Sequence, residues 1–263
     1  MVKEYCILIV TYNHENVILN LLESISIFGY KNVYICDANS TDNTVNVILK
    51  HNCDDISLLR KNKLEGFAKN NNDLISHFDI KAKYFLLLNP DTYFKHDFLK
   101  ILVSKMKMDN SIGIICPLIL YPNGEIQKSW KTFPNFIKVL QKRFGVINID
   151  NELLIDSTKV EWALGACLLI SDRLLQKNKL LDERYRLYCE DIDICLYSWF
   201  NNLKVIATND AVVYHSLQER SSKKILSKYN LWNISSIIKF AIKWNFKYIN
   251  IKRSIKYSKH ISN

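Results

Sequence analysis

The sequence ILIVTYNHENVILNLLESI (Ile7–Ile25) places a short apolar run directly before a segment of helical periodicity. The full apolar run, Tyr5–Val10, is too short for a helix and is typical of a buried β-strand. Apolar residues then recur at helical spacing between Val17 and Phe28, and Gly29 follows as a helix stop. This order, a strand and then a helix, predicts the first part of a βαβ unit.

The same alternation continues through the first half of the chain. The other expected strands are Asn32–Cys36, Ile56–Arg60, Lys83–Leu88 and Ile112–Cys116, and the expected helices are Asp42–Lys50, Gly66–Phe78 and Asp97–Lys107. Strands that alternate with helices at this spacing pair in a parallel sheet, and their nearly continuous apolar character indicates burial on both faces. We therefore expect an α/β fold with a Rossmann-like, mostly parallel central sheet flanked by helices.

The second half of the chain is less regular. The dipeptide Asn123-Gly124 is typical of a hairpin turn. The other expected elements are a strand region at Val160–Ile170, a helix at Glu190–Phe200, a strand at Ala211–Tyr214 and an amphipathic helical tail from Leu226 onward. This half therefore adds elements to the sheet without repeating the regular alternation.

The composition is that of a globular protein, since 24% of the 263 residues are charged and 48% are hydrophobic. Apolar runs all fall short of the roughly 18–20 residues that a membrane span needs. The N-terminus lacks the pattern of a signal peptide. The seven cysteines include no CxxC pair and mostly lie in apolar runs, which predicts reduced, buried thiols in a cytosolic protein.

The positive charge is concentrated at the C-terminus. Residues 220–263 contain 11 Lys or Arg and no Asp or Glu, whereas the other 219 residues contain 25 basic and 26 acidic residues. Such a segment favours an anionic surface, either lipid headgroups or nucleic acid. Within it, apolar residues recur at helical spacing at Ile234, Ile237, Ile238, Ala241 and Ile242, beside a stripe of Lys239, Lys243 and Lys247. The tail therefore either lies in a membrane interface or packs on the body with a solvated lysine face.

Two acidic residues follow strands of the expected sheet. Asp37 follows the second strand, and Asp91 lies in Asn89-Pro90-Asp91-Thr92, where Pro90 must end the strand. A lone aspartate at a strand end is commonly a turn residue. Ligands of open parallel sheets bind beyond the carboxyl ends of the strands, however, and two carboxylates there can bind a nucleoside and a divalent cation.

Three further sites carry side chains suited to chemistry. Glu190-Asp191-Ile192-Asp193 begins a helix, where acids complement the helix dipole and where a general base could be held rigidly. His215 and Tyr12 each follow a strand, so that each either packs or contacts a ligand. The sequence has no GxGxxG, P-loop or GxSxG motif and no zinc-ligand spacing, which excludes those nucleotide, hydrolase and zinc sites.

Together these segments resemble the inverting glycosyltransferases of family 2, which have the GT-A fold, from about Glu4 to Ser222. The segments that carry the resemblance are ILIVTYNHENVILNLLESI, CDANSTDNT (Cys36–Thr44), NKLEGFAKNNN (Asn62–Asn72) and LLLNPDT (Leu86–Thr92). The resemblance implies that a nucleotide-sugar donor binds along these segments. The implied donor-binding residues are Thr11, Tyr12, Asn13, Asp37, Asn39, Gly66, Asn89 and Asp91.

The later segments resemble the acceptor side of the same family. They are GACLLISDR (Gly165–Arg173), DERYRLYCEDIDICL (Asp182–Leu196) and VVYHSLQERSS (Val212–Ser222). The resemblance implies that Asp191 is the catalytic base and that Trp162, Gly165 and Glu190 line the acceptor side. It also implies a divalent cation, Mg²⁺ or Mn²⁺, held near the donor diphosphate by Asp91 and His215.

Three positions depart from the family's pattern. The family's DxD motif reads Asn89-Pro90-Asp91, which provides one carboxylate instead of two, and Tyr197 and Asn202 stand where the family usually has Arg and Gly. The form LNPD is common in the rhamnosyltransferase-like branch. The resemblance therefore implies dTDP-L-rhamnose as the donor.

The expected organisation is a GT-A domain at 1–222, with a nucleotide-sugar half at about 1–120 and an acceptor half at about 121–222, followed by the basic tail at 223–263. The resemblance implies transfer to a polyprenyl-diphosphate-linked or oligosaccharide acceptor in bacterial surface polysaccharide (O-antigen or capsule) synthesis. We expect a cytoplasmic enzyme held peripherally at the inner face of the cell membrane by its tail.

Other interpretations stay open at this point. A transferase of the same family could use a UDP-sugar such as UDP-Gal or UDP-GlcNAc, and a degenerate protein could bind the sugar nucleotide without turnover. A nucleotidyltransferase is disfavoured because TYNHEN, after the first strand, is not a Gly-rich basic loop. A nucleic-acid partner is not expected, because an acidic sheet rim would repel phosphate backbones.

Overall fold

The computed structural model of the protein describes residues 2–51, 55–133, 158–216 and 231–244. The strands are β1 (Lys3–Thr11), β2 (Val33–Asp37), β3 (Ile56–Arg60), β4 (Ala82–Leu88), β5 (Thr92–Tyr93), β6 (Ile112–Leu120), β7 (Trp130–Lys131), β8 (Thr158–Lys159), β9 (Trp162–Ala163), β10 (Cys167–Ser171) and β11 (Lys204–His215). The helices are α1 (Ile18–Ile27), α2 (Thr44–Lys50), α3 (Phe67–His77), α4 (Phe98–Met108), α5 (Glu190–Phe200) and a helix over residues 231–244, which we call the 231–244 helix. Among these helices, none is both long and apolar enough to cross a membrane.

The central sheet has the strand order β3-β2-β1-β4-β10-β6-β11-β5, and β8 pairs with β11. The four strands from β3 to β4 are mutually parallel, and β6 and β11 are parallel to each other. Between these two groups lies β10, which is antiparallel to both β4 and β6. The expected mostly parallel α/β sheet is therefore confirmed, with an antiparallel strand inserted near its centre.

Both faces of the sheet are buried, which explains why its strands are continuously apolar. In β1, Cys6 and Leu8 pack into one core while Ile7 and Ile9 pack into the other. Helices α1 and α4 cover the second core, and α3, α5 and the 231–244 helix cover the first. Because side chains alternate along a strand, every residue of such a run must be apolar.

The expected strand at Ala211–Tyr214 is much longer in the structure, where β11 begins at Lys204. Its pairing with β6 shifts register between Thr208 and Val212. The polar sequence there interrupted the apolar pattern, although the backbone stays extended through the irregularity. The two-residue strand β5 was also missed, because it is too short to show a period.

The departure of Asn202 from the family's glycine has a conformational explanation. Asn202 lies in the turn between α5 and β11 and has φ +57°, in the left-handed region. Asparagine adopts this region more readily than other residues with a side chain. The turn therefore keeps its geometry without a glycine.

The six described cysteines are unpaired and buried, and Cys53 lies outside the described residues. Burial raises the pKa of the Cys36 thiol to about 12, so that it stays protonated at neutral pH. These cysteines are therefore small core residues, as their apolar surroundings in the sequence indicated.

Candidate functional site

The candidate site lies at the edge of the sheet where β1 and β2 end. The ends of these two strands form its first wall. Thr11 pairs with Asp37 across these strands, and the Ala38 amide donates to the Thr11 carbonyl at 2.8 Å. The Asp37 carboxylate, 2% exposed, accepts hydrogen bonds from the Ser40 amide (3.1 Å) and the Ser40 hydroxyl (2.5 Å). Asp37 thus stabilises the turn after β2. It also lies at the rim of the sheet, where it was expected.

The loop after β1 is fastened to the loop after β2. Asn13, at φ +56°, donates its amide to the Ser40 hydroxyl at 3.0 Å and accepts from the Thr41 amide at 2.8 Å. Tyr12 lies half-buried in this loop, and Asn39 is exposed in the other loop at φ +70°. The structure therefore brings five of the expected donor-binding residues into one continuous surface beyond the strand ends: Thr11, Tyr12, Asn13, Asp37 and Asn39.

The second wall begins where β4 ends. The Asn89 amide donates to the Ala166 carbonyl at 2.9 Å, and the Asn89 carbonyl accepts from the Thr92 amide and hydroxyl at 3.2 and 2.7 Å. This turn buries Asp91 at the same rim as Asp37. Since β1 separates β2 from β4, and strands lie about 4.8 Å apart, the ends of β2 and β4 are offset by about 10 Å across the sheet.

Asp91 and His215 are neighbours in space. Because β11 runs antiparallel to β5, His215 pairs with Thr92, and the Ser216 amide donates to the Asp91 carbonyl at 2.9 Å. The Nε2 atom of His215 lies 3.1 Å from Oδ1 of Asp91, with both side chains buried. On the other side of the ring, Nδ1 lies 2.9 Å from Oε1 of Gln127. Sequence reasoning missed Gln127, since a glutamine beyond a hairpin carries no signal of its own.

A strained turn positions Asp191 at the site. Tyr188 and Cys189 both have positive φ, +67° and +71°, and α5 begins directly after them. In the first turn of α5, Asp191 accepts hydrogen bonds from the Gly165 amide (3.2 Å) and the Ile192 amide (2.8 Å). A methyl group on Gly165 would lie 3.4 Å from the Asp191 Cβ, so the loop and the helix are in contact.

This contact joins the residues expected on the acceptor side to those expected to bind the donor. Gly165 binds Asp191, and the next residue, Ala166, binds Asn89 through its carbonyl. Trp162, in β9 just before Gly165, donates its indole N–H to the Thr132 carbonyl at 2.9 Å. Asp191 is therefore two short contacts away from the turn that carries Asp91.

Glu190 and Asp191 form a buried acidic pair. Burial, and then the charge of Asp191, raises the pKa of Glu190 to about 8, so that Glu190 is mainly protonated at neutral pH. Burial also raises the pKa of Asp191, while the amides of Ile192 and Gly165 and the charge of Lys131 oppose the rise. The negative charge of the pair is therefore centred on Asp191, and this carboxylate is more basic than an exposed aspartate.

Asp193, the third acid of the cluster, has a structural role that the sequence did not reveal. Its carboxylate accepts from the Tyr185 hydroxyl (2.9 Å), the Lys243 ammonium (2.6 Å) and the Trp244 indole (2.6 Å). Lys243 also pairs with Asp182 at 2.8 Å. These bonds attach the 231–244 helix to the segment that carries Asp191.

The 231–244 helix is the described part of the basic tail, and its contacts bear on the two interpretations of that tail. Ser236, Phe240 and Trp244 face the body, and the partly buried Lys243 forms the ion pairs above, so that the expected solvated lysine face is wrong for Lys243. The Ser236 hydroxyl donates to the Leu187 carbonyl at 2.9 Å. Lys247 and the remainder of the expected tail helix lie outside the described residues.

Gly66, an expected donor-binding residue, connects the start of α3 to the same segment. It precedes α3, and the Phe67 amide donates to the Arg186 carbonyl at 3.1 Å. A Cβ atom on Gly66 would lie 2.5 Å from that carbonyl oxygen, closer than atoms can approach. The backbone of Gly66 is therefore in contact with the segment of chain that leads to Asp191.

We expect Gly66→Ala to destabilise the protein, because the methyl group must displace the Arg186 carbonyl and weaken its bond to Phe67. Overpacking of this kind costs about 1–3 kcal/mol, which lowers the Tm of a chain of this size by about 2–12 °C. Thermal unfolding followed by circular dichroism measures the change. Glu23→Ala in α1 is the control, since Glu23 is exposed and the substitution adds no contact, and equal losses in both variants would contradict the contact.

Sequence comparison assigns the chain to a family. The family model described as Glycosyl transferase family 2 matches residues 6–163. Rhamnosyltransferase WbbL of Escherichia coli (strain K12) is 24% identical over 249 residues, which cover 89% of this chain and 91% of the relative. Low-salt glycan biosynthesis hexosyltransferase Agl10 of Haloferax volcanii is 25% identical over 208 residues, 78% of this chain and 64% of the relative.

Solved structures with the same fold include GalNAc-T7 with UDP, GalNAc and Mn²⁺, with TM-score 0.69 and 14% identity over 95% of this chain. The chain spans only half the length of that protein. Mannosyltransferase PcManGT from Pyrobaculum calidifontis, in complex with GDP-Man and Mn²⁺, has TM-score 0.60 and 16% identity over 92% of this chain and 65% of its own. These likenesses show the GT-A type of fold. Because the family model matches more than half of the residues of the chain, the chain belongs to glycosyl transferase family 2.

Proposed function

We propose that the protein is an inverting glycosyltransferase that moves a sugar from a nucleotide-diphosphate donor to a hydroxyl group. The contact of Asp191 with Gly165, next to the turn of Asn89, carries this proposal, because it holds a basic carboxylate beside the donor rim. Asp191 accepts the proton of the acceptor hydroxyl as its oxygen attacks the anomeric carbon. The bond from that carbon to the diphosphate oxygen breaks on the opposite face, so that one displacement inverts the configuration.

We propose dTDP-L-rhamnose as the donor. Two observations support it: the similarity to a rhamnosyltransferase across nearly the whole of both chains, and the LNPD sequence at the end of β4. The similarity to a hexosyltransferase favours a hexose donor such as a UDP-sugar as the second candidate. Both donors require the same rim and the same base.

We propose that Asp91 and His215 hold a divalent cation, Mg²⁺ or Mn²⁺. The Oδ1 atom of Asp91 and the Nε2 atom of His215 lie 3.1 Å apart, and both would be able to hold such an ion. Among the described residues no group of three or more His, Cys, Asp or Glu could hold an ion, so donor oxygens and water would complete its shell. When bound, such an ion stabilises negative charge on the departing diphosphate.

A thermal-shift panel tests these proposals with the intact protein. UDP-, dTDP- and GDP-sugars are added with and without Mg²⁺ or Mn²⁺, and the Tm is measured. A rise with dTDP-L-rhamnose that requires the cation supports the proposal, since ligands that bind the native state raise its stability. A rise in Tm with a UDP-sugar alone would identify that sugar nucleotide as the donor in place of dTDP-L-rhamnose. If no sugar nucleotide raises the Tm, donor binding is contradicted.

We propose that the protein works at an anionic membrane surface, where a polyprenyl-diphosphate-linked acceptor is anchored. The 231–244 helix turns one face to the body and leaves the opposite face apolar and exposed. That face consists of Leu231, Ile234, Ile238 and Ile242, whose side chains are between 43 and 74% exposed. The basic residues of 220–263 other than Lys243, which is paired with Asp182 and Asp193, complement anionic headgroups.

Replacing Ile238 and Ile242 with Glu should reduce binding to anionic liposomes by about 10²-fold or more, because burying each isoleucine contributes about 1.5–3 kcal/mol. Liposome flotation with phosphatidylglycerol vesicles measures the binding. The matched control is the double variant Ile27→Glu, Met108→Glu, since both residues are exposed apolar side chains on other helices. Equal flotation of the two double variants would exclude the 231–244 helix as the membrane contact.

A further inference from the structure

The chain enters α5 through a backbone conformation that costs free energy. Tyr188 and Cys189 both have φ in the left-handed region, +67° and +71°. Residues with side chains keep this conformation only where the contacts around them enforce it. Since α5 begins directly after them, at Glu190, this turn sets the place of Asp191. The contacts that enforce the turn therefore also control the position of the proposed base.

The 231–244 helix supplies such contacts along the segment 182–193, which contains the turn. Its contact residues recur at helical spacing and so form one face of the helix. The contacts to the residues just before the turn are Trp232 on the Arg186 guanidinium (4.2 Å to the ring centroid), the Ser236 hydroxyl on the Leu187 carbonyl (2.9 Å) and the Lys239 ammonium on the Arg184 carbonyl (3.0 Å). The helix thus holds the chain along its approach to α5.

The last turn of the helix reaches α5 itself. The Lys243 ammonium lies 2.6 Å from the Asp193 carboxylate and 2.8 Å from that of Asp182, and the Trp244 indole donates to Asp193 at 2.6 Å. Asp193 is 3% exposed and follows Asp191 by two residues in the first turn of α5. A buried carboxylate that loses its cation must take up a proton or draw in water. Either change would disturb the helical turn that carries both aspartates.

We propose that Lys243 is a positioning residue for the base. Asp182 and Asp193 lie on either side of the left-handed turn, so that one ammonium bound to both holds the segment closed across it. The start of α5 is thereby fixed, and the Asp191 carboxylate stays against the Gly165 amide. The catalytic meaning of this inference rests on the proposed function. A catalytic group that is misplaced by about 1 Å can lose about 10²-fold in rate.

Hydrogen exchange of the full-length protein, followed by NMR, tests the positioning without any substrate. The Gly165 and Ile192 amides both donate to Asp191. In Lys243→Met these two amides should exchange about 10–100-fold faster, as expected when hydrogen bonds to a charged group are lost. Lys243→Arg should restore slow exchange, because Arg keeps the charge and has donors for both carboxylates. Lys81→Met, at an exposed lysine, is the matched control and should change neither amide.

Amides of β1 and β2 separate positioning from general stability. The Ile7 and Val33 amides each donate to a carbonyl of a neighbouring segment, at 3.0 and 3.1 Å. Their exchange should be the same in Lys243→Met as in the wild type. Equal acceleration at all four amides would show that Lys243 stabilises the fold as a whole, and unchanged exchange at Gly165 and Ile192 would show that it does not hold the base. Either result would overturn the inference.

Transfer kinetics and calorimetry then locate the effect in the reaction. The kcat of Lys243→Met should fall about 10²-fold with unchanged donor affinity, since the base moves and the donor rim does not, and Lys243→Arg should recover it. An unchanged kcat, or an equal fall in donor affinity, would overturn the positioning role. The expected exchange pattern in a protein that transfers no sugar would support the hold of Lys243 on the segment and count against the proposed reaction alone.

Discussion

Asp191→Asn is expected to lower the rate of sugar transfer by about 10²–10⁴-fold, the usual contribution of a general base. Asparagine has nearly the same shape, although its single oxygen can accept from only one of the Gly165 and Ile192 amides, which bind different oxygens of Asp191. It cannot accept the proton of the attacking hydroxyl. The variant should therefore fold and bind the donor while losing turnover.

Steady-state kinetics with donor and acceptor measures the loss, and calorimetry measures donor affinity. Asp79→Asn is the matched control, because Asp79 is exposed and pairs only with the neighbouring Lys81 among the described contacts. Wild-type turnover in Asp191→Asn would refute its assignment as the base. A parallel loss of donor affinity would show that Asp191 acts in binding instead.

The same assignment fixes the direction of the pH dependence. The base must be deprotonated, so that kcat/KM should fall as the pH decreases through the pKa of Asp191. Burial raises that pKa, and the fall should therefore begin at a higher pH than an exposed aspartate, with its ordinary pKa of about 3.9, would produce. A flat profile down to pH 4 would contradict this.

Asp91→Asn is the second substitution with a large expected effect, a loss of about 10²–10³-fold in transfer, as is typical when an electrostatic contact to the developing charge is removed. The amide can donate to Nε2 of His215 and so keep the local packing, but it offers the cation no charge. The cation-dependent part of the thermal shift should disappear. Asp210→Asn, an exposed residue of β11, is the control, and a cation-dependent shift that persists in Asp91→Asn would place the ion elsewhere.

The sheet and its rim could largely be predicted from the sequence. Ile56–Arg60 was expected at the bounds observed for β3, and the expected Gly66–Phe78 helix is α3 within one residue at each end. Asp37 ends β2 and Asp91 lies in the turn after β4, because the apolar runs stop at these points. These inferences succeeded since each depends on residues that are adjacent in the chain.

The direction of β10 could not be predicted in the same way. Its sequence, CLLIS, is apolar throughout and would suit either direction. It is antiparallel because it enters the sheet between β4 and β6 from the rim where Gly165 meets Asp191. The pairing partners of a buried strand are set by the surrounding chain, and not by its own pattern.

Which face of the 231–244 helix packs on the body could not be predicted from the sequence either. Its period was visible, but Phe240 and Trp244 are as apolar as Ile238 and Ile242, so hydrophobicity alone could not show which face packs on the body. Lys243 resembled a solvated residue until the carboxylates of Asp182 and Asp193 were placed around it. A buried lysine is recognisable only from its partners.

Local periodicity and the ends of apolar runs are therefore enough to derive the α/β architecture and the acidic rim of this protein, because they depend on neighbours along the chain. The arrangement of Asp91, His215 and Gln127, and the attachment of Asp193 to Lys243, arise from segments far apart in the chain. Sheet pairing and helix packing bring those segments together, and hydrogen bonds of about 3 Å require positions that a linear pattern does not encode.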